Sequence, residues 1–159
     1  MELARLIKTL ENSGVYKFKI DTFEDRLRLQ KIVYIAKCFG IDFGYSFNEN
    51  LRGPYSPGLA DDYYKLNELW NTDDIKNLEP LDNENVKKLI EFIKSKSTNE
   101  LEGIATGLMF ADILEKRGVK DKEVLKKKLS TIIESRKPFL SNMADKIADT
   151  VVSKLTEVA

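Results

Sequence analysis

Hydrophobic residues recur at helical intervals along most of the chain. Apolar positions fall three and four residues apart, as on one face of an α-helix, in the segments 2–12, 84–95, 101–114 and 125–133. The segment 23–39 is apolar around most of its circumference, which is typical of a helix in the interior of its domain. A last helix is predicted from about Ser141 to Glu157.

The Ser56-Pro57 pair predicts where a further helix begins. A serine hydroxyl accepts from the free backbone N–H groups of a helix start, and proline at the first helical position loses only an N–H that has no helical partner. We therefore expect a helix from Pro57 to about Trp70.

Short-range alternation of apolar and polar residues predicts a small amount of β-structure. Tyr16, Phe18 and Ile20 alternate with lysines, as in a strand. A second strand is predicted further along the chain. The expected fold class is a mainly α-helical, single-domain bundle of six or seven helices with at most one short two-stranded β-ribbon, from about 15–20 and 45–51.

Aromatic residues divide the chain unevenly. Twelve of the 15 lie before residue 71, which predicts an aromatic-rich N-terminal layer over about 1–70. The C-terminal helices, over about 84–158, are aliphatic. The polar, proline-containing stretch 71–85 reads as the connection between them. We expect both layers to belong to one helical domain over 1–159.

Charge and composition exclude several kinds of chemistry. The 26 basic and 26 acidic residues leave no net charge to steer the protein toward nucleic acid or anionic lipid. The chain has no histidine, which excludes imidazole catalysis, and its single cysteine, Cys38, is expected to be a buried structural thiol. No phosphate-binding loop or serine-nucleophile motif is present. We therefore expect a protein that is not an enzyme and uses no cofactor or metal.

The chain also lacks a long apolar segment. Its longest purely apolar run is Ile32–Ala36, whereas a membrane-spanning helix needs roughly 20 residues. Residues 1–5 do not begin a basic and then apolar leader sequence. We expect a cytoplasmic protein with no membrane partner.

The strongest local signature is the turn sequence Arg52-Gly53-Pro54-Tyr55-Ser56-Pro57-Gly58. One interpretation is mechanical, because these residues fix the angle at which a helix leaves a turn. The other interpretation is a recognition edge, because arginine and tyrosine are favoured at binding hot spots. Under the second interpretation the candidate partner-binding residues are Arg52, Tyr55, Tyr63 and Tyr64.

Basic residues on the predicted 23–39 helix leave nucleic-acid binding open as an alternative function. Their side chains would either extend along apolar surface to a narrow exposed stripe or meet phosphates, as in a winged-helix regulator. Nearby acidic residues and the zero net charge favour the first interpretation. The residues concerned are Arg26, Arg28, Lys31 and Lys37.

Small residues in the C-terminal half suggest close helix packing. Gly103 and Gly107 lie four residues apart and would let another helix approach. The last helix carries a 4-3-4-3 apolar repeat, which predicts core packing or, as the alternative, a homodimer contact through the C-terminal helix. The residues of this repeat are Ala144, Ala148, Val151, Leu155 and Val158.

Two short motifs resemble a known family. The motif Leu29-Gln30-Lys31-Ile32-Val33-Tyr34, followed by Gly53-Pro54-Tyr55-Ser56 and Pro57, resembles the YwgA-like uncharacterised prokaryotic proteins. More distantly, it is similar to the Panacea (SocA-like) antitoxin domain, over residues 26 to about 66. The resemblance implies a small, mainly helical, non-enzymatic protein that binds another protein: in Panacea-type systems a toxin, here a toxin or the product of a neighbouring gene. The motif residues are Leu29, Gln30, Lys31, Tyr34, Gly53, Pro54, Ser56 and Pro57.

Overall fold

The computed structural model describes the backbone of residues 2–158 and the side chains of residues 2–155. Within these residues the protein is mainly α-helical with one two-stranded sheet, which confirms the predicted fold class. No helix in this part of the chain is long and apolar enough to cross a membrane.

The described residues form eight α-helices, one 3-10 helix and two strands, joined by turns and loops. The helices are α1 Glu2–Asn12, α2 Phe23–Cys38, α3 Pro57–Leu69, α4 Asp73–Lys76, α5 Glu84–Ile93, α6 Thr98–Lys116, α7 Lys122–Arg136 and α8 Ala144–Val158. The 3-10 helix η1 is Pro138–Met143, and the strands are β1 Asn48–Asn50 and β2 Gly53–Tyr55. The hydrophobic pattern did not predict α4, which is a single turn, or the 3-10 helix η1.

The chain packs as two compact units. The first contains Met1–Asn48 and Tyr55–Lys96, and the second contains Glu49–Pro54 and Ser97–Ala159. Helix α5 belongs to the first unit, where it contacts α2, although the sequence grouped it with the C-terminal helices. The single domain over 1–159 stays a prediction.

Helix α2 lies in the core of the first unit, as the sequence predicted. Leu29 and Ile32 are fully buried, and most residues of the helix from Leu27 to Ala36 are buried as well. Thr22 caps its first turn, and Asp25 completes the capping box by accepting from the Thr22 backbone N–H. Cys38, at the end of the helix, is partly exposed, so the expectation of a buried thiol was wrong.

The predicted strand at 15–20 is absent from the described sheet. Tyr16, Phe18 and Ile20 are buried, so their alternation reflects a chain with one buried side and not pairing with a strand. The Phe18 N–H donates to the side chain of Glu11 at 2.8 Å. The sheet is instead a hairpin of β1 and β2, which form within and just after the predicted 45–51 segment.

Close packing of α6 against α8 builds the second unit. A Cβ on Gly103 would lie 2.7 Å from Ile147 Cδ1, and one on Gly107 would lie 2.9 Å from Val151 Cγ2. These distances confirm that the glycines let a helix approach.

The 4-3-4-3 face of α8 is part of the same packing. Ala144, Ala148 and Val151 are buried, so at these three positions the repeat reflects core packing within the unit. The side chain of Val158 lies outside the described residues, and Leu155 is partly exposed. A homodimer contact through the C-terminal helix stays a prediction.

Candidate functional site

The hairpin ends in a tight turn at Leu51 and Arg52. Gly53 has a φ of +90°, which residues with a side chain rarely adopt, and this lets the chain reverse within two residues. The Asn50 side-chain oxygen accepts from the Leu51 N–H at 2.7 Å. Leu51 is thereby held at the tip of the hairpin, where it is 82% exposed.

A fully buried carboxylate on α6, that of Glu102, holds this turn in place. Arg52 Nε donates to both carboxylate oxygens, at 3.1 and 3.2 Å, and Arg52 Nη2 donates to Oε1 at 3.0 Å. Lys137, between α7 and η1, is also buried, and its Nζ lies 2.8 Å from Glu102 Oε2. The same Nζ donates to the backbone oxygen of Leu51 at 2.6 Å. The turn is thus bound through a side chain and through its backbone.

These three residues, the Glu102 cluster (Arg52, Glu102 and Lys137), contain two cations and one carboxylate. A buried ion pair seldom stabilises a fold more than apolar residues of the same volume would, because desolvation offsets the attraction between the charges. The cluster does specify where its members lie. We therefore assign it to positioning the turn. The cluster has one more cation than carboxylate, and its cation Arg52 exposes 44% of its side chain at the surface.

The surface above the cluster is a shallow depression with apolar and basic walls. We call it the hairpin depression; it is lined by Leu51, Arg52, Asn99, Arg136, Lys137 and Phe139. Phe139 is 51% exposed. Leu51 and Phe139 are two of the six large hydrophobic side chains that are exposed among the described residues. Arg136 pairs with Glu49 at 2.5 Å, and its guanidinium lies 4.6 Å from the centre of the Phe110 ring. Two exposed apolar side chains and two exposed arginines therefore share one surface.

The two sequence motifs meet in the first unit through Gln30 and Ser56. The Gln30 amide nitrogen donates to the Ser56 backbone oxygen at 2.9 Å, and the Ser56 N–H donates to the Gln30 side-chain oxygen at 2.9 Å. The Ser56 hydroxyl accepts from the Leu59 N–H, so it caps α3 as predicted. Both residues are buried. This pair of hydrogen bonds positions the start of α3 against α2.

The candidate recognition residues have different surroundings. Arg52 belongs to the hairpin depression in the second unit, whereas the three tyrosines belong to the first unit. Tyr63 is 2% exposed, and burial raises the pKa of its hydroxyl, so it is a core residue and offers no surface to a partner. Tyr55 is partly buried and Tyr64 is exposed. Of the four, Arg52 and Tyr64 present the most accessible side chains.

Three of the four basic residues of α2 donate to backbone oxygens. Arg26 donates to the Ile20 oxygen at 2.9 Å, Arg28 to the Lys96 oxygen at 3.2 Å, and Lys37 to the Tyr45 oxygen at 3.3 Å. Lys31 is fully buried and does not extend to an exposed stripe. Helix α2 is therefore an internal element without the exposed basic face that a recognition helix would use.

Sequence reasoning missed Glu102, Lys137 and Phe139. One signal was available for Glu102, because it is the charged residue inside the apolar and small run Leu101–Ala105 of a predicted helix. No local pattern connects Lys137 with Leu51, since 86 residues separate them.

Comparison with known proteins adds no relative. No family model, curated protein or solved structure matches this chain.

Proposed function

We propose that this is a cytoplasmic, non-enzymatic protein of antitoxin-like type that acts by binding a partner protein at the hairpin depression. The observation that carries the proposal is the exposure of Leu51 and Phe139 on one surface beside Arg52. Exposed apolar side chains that share a surface with arginines are typical of protein-binding sites. The resemblance of the two motifs to the Panacea-type antitoxin domain supports the same function.

The position of Leu51 adds to the argument. Residues at a hairpin turn are usually polar or glycine, because a side chain there faces water. This turn places a leucine at its tip and holds it there through Asn50, Arg52 and Lys137. A rigid support beneath an exposed apolar side chain lowers the entropy lost when a partner binds.

The alternative, nucleic-acid binding through the 23–39 or 57–70 helix, has little support from the surfaces of α2 and α3. The basic side chains of Arg26, Arg28 and Lys37 on α2 already donate to backbone oxygens. On α3, Asp61, Glu68 and the partly exposed Asp62 face outward with a single lysine, Lys65. An acidic face repels phosphates.

The test is co-purification of the full chain with the proteins encoded on either side of its gene, one of which we expect to be retained. Leu51→Asp and Phe139→Asp should each weaken that complex at least ten-fold. Val124→Asp is the matched control, because Val124 is also exposed in the second unit but does not line the depression. Failure of both neighbours to bind at several salt concentrations would contradict the proposal. So would equal effects of all three substitutions.

A further inference from the structure

The lining of the hairpin depression indicates the chemistry of the segment that binds it. We infer that the partner presents a carboxylate, from Asp or Glu, beside a large apolar side chain. The carboxylate binds at Arg52 and Arg136, and the apolar side chain packs on Leu51 and Phe139. This inference rests on the proposed function, and it adds the class of partner.

The charge of the lining carries the first half of the inference. Three cationic side chains and no carboxylate line the depression. Beneath them, Glu102 serves both Arg52 and Lys137, and Glu49 serves Arg136. Arg52 and Arg136 nevertheless expose 44% and 45% of their side chains, so positive charge predominates at the surface of the depression. This charge attracts an incoming carboxylate, and a hydrogen bond between two charged groups is stronger than one between neutral groups.

The two arginines are held in place before binding. Arg52 makes a forked contact with a carboxylate that is itself fully buried. Arg136 lies over the Phe110 ring and pairs with Glu49, and 45% of its side chain remains exposed. Because both guanidinium groups already have fixed positions, little side-chain entropy is lost when they bind an anion.

The apolar half of the site is on the same surface. Leu51 and Phe139 are exposed to water in the free protein and line the depression with the arginines. Covering them removes apolar surface from water, which favours association. A segment with only acidic residues would leave these side chains wet, and a segment with only apolar residues would cover the exposed parts of the two arginines without offering them a hydrogen-bond acceptor. The surface therefore selects a segment that has both.

The experiment uses the whole 159-residue chain to select peptides from a display library of random 12-residue sequences. We expect the enriched peptides to combine Asp or Glu with Leu, Ile, Phe or Trp. Replacing the selected acidic residue by its amide in a synthetic peptide should weaken binding at least ten-fold, a change that leaves the protein itself untouched. On the protein, Arg136→Gln should weaken binding by a similar factor. Arg117→Gln, an exposed arginine at the end of α6, is the matched control and should leave the affinity unchanged.

Each of the other outcomes overturns the inference. In the first, no peptide sequence is enriched. In the second, the enriched peptides lack acidic residues. In the third, the affinity of the peptide does not change when its acidic residue is replaced by the amide. If a neighbouring gene product still binds through Leu51 and Phe139 in such a case, the proposed function stands and only the chemistry of the partner falls. Tighter binding of a 12-nucleotide oligothymidylate that depends on Arg136 would overturn both.

Discussion

Glu102 is a carboxylate without water contact, and Arg52 and Lys137 supply the hydrogen bonds that replace its hydration. Moving a charge out of water is unfavourable by several kcal/mol unless partners compensate for it. Removing the negative charge leaves two cations that repel each other in the same place. We therefore expect the stability of the second unit to be sensitive to a substitution at Glu102 that changes a single atom.

We predict that Glu102→Gln lowers the free energy of unfolding by about 3 kcal/mol, the lower end of the range for breaking a buried ion pair. The side chain keeps its size, so the loss reports charge and hydrogen bonding and not packing. Urea unfolding followed by circular dichroism measures it. Glu134→Gln, on the exposed side of α7, is the control and should change stability by less than about 0.5 kcal/mol. Equal effects of the two substitutions would show that the Glu102 cluster does not contribute.

Tyr16 is a second residue with an unusual environment. Its ring is buried in the first unit, and its hydroxyl has no hydrogen-bond partner within the described residues. Burial raises the pKa of this hydroxyl well above its ordinary value, and the nearby carboxylate of Asp25 adds to the rise. The folded state therefore binds the phenol proton more tightly than the unfolded state does.

The sign of the resulting pH dependence follows from linkage. Stability from Tyr16 is complete below the unfolded pKa of about 10 and is lost as the pH rises above it. We predict that Tyr16→Phe reduces the loss of stability above pH 10. At pH 7 it should raise the free energy of unfolding by about 1 kcal/mol, because an unpaired buried hydroxyl is removed. Urea midpoints from pH 7 to pH 11 test both statements, and a destabilised variant at pH 7 would contradict the second.

At the scale of elements, the contact between α2 and the start of α3 depends on Gln30, whose side chain makes hydrogen bonds of the kind that a neighbouring strand would make. Gln30 gives Ser56 one donor and one acceptor, the two bonds that a neighbouring strand would offer its backbone. The Ser56 backbone is buried, and its N–H depends on the Gln30 oxygen, whereas its oxygen also accepts from the Ala60 N–H at 3.1 Å. This explains in physical terms why a glutamine is buried in the interior of this helix.

We predict that Gln30→Met lowers the free energy of unfolding by about 2 kcal/mol, because the buried Ser56 N–H loses its partner at about 1–3 kcal/mol. Ser56→Ala, which removes only the cap of α3, should lower it by about 1 kcal/mol. Urea unfolding of both variants measures the difference. A Gln30→Met loss no larger than that of Ser56→Ala would mean that the pair of hydrogen bonds contributes little.

The helices were the most predictable part of the fold, whereas of the two predicted strands only the one at 45–51 contains a strand, β1. Ser56 and Thr22 mark helix starts through hydrogen bonds that span three residues, and such signals are visible in a single sequence. Alternation at Tyr16 and Phe18 showed which side chains are buried, but pairing needs a second strand at the right distance. Arg52 was predictable because it adjoins a Gly-Pro turn. Its partner Glu102 was not, because no local pattern links residues 50 positions apart.

For the whole molecule, the absence of histidine from the chain has a measurable result. No side chain other than that of Cys38 has an ordinary pKa between about 6 and 9. The charge of the folded and unfolded states therefore changes little over this interval. Such a chain offers no acid–base switch near neutral pH.

We predict that the free energy of unfolding varies by less than about 0.5 kcal/mol between pH 6 and pH 8, since stability changes with pH only where the two states bind different numbers of protons. Urea midpoints at pH 6, 7 and 8 test this. A variant with an introduced histidine at the buried Lys137 position, Lys137→His, is the comparison and should show a slope in the same interval. A slope of similar size in the unmodified protein would contradict the prediction.

The assignment of the hairpin to the second unit restricts how this protein can be cut for study. A fragment that starts at Ser97 would retain Glu102 and Lys137 yet omit Arg52, so it would bury a carboxylate without its forked partner. Dissection at one peptide bond therefore cannot yield a complete C-terminal piece. A faithful excision would have to graft residues 49–54 back onto it through an engineered linker.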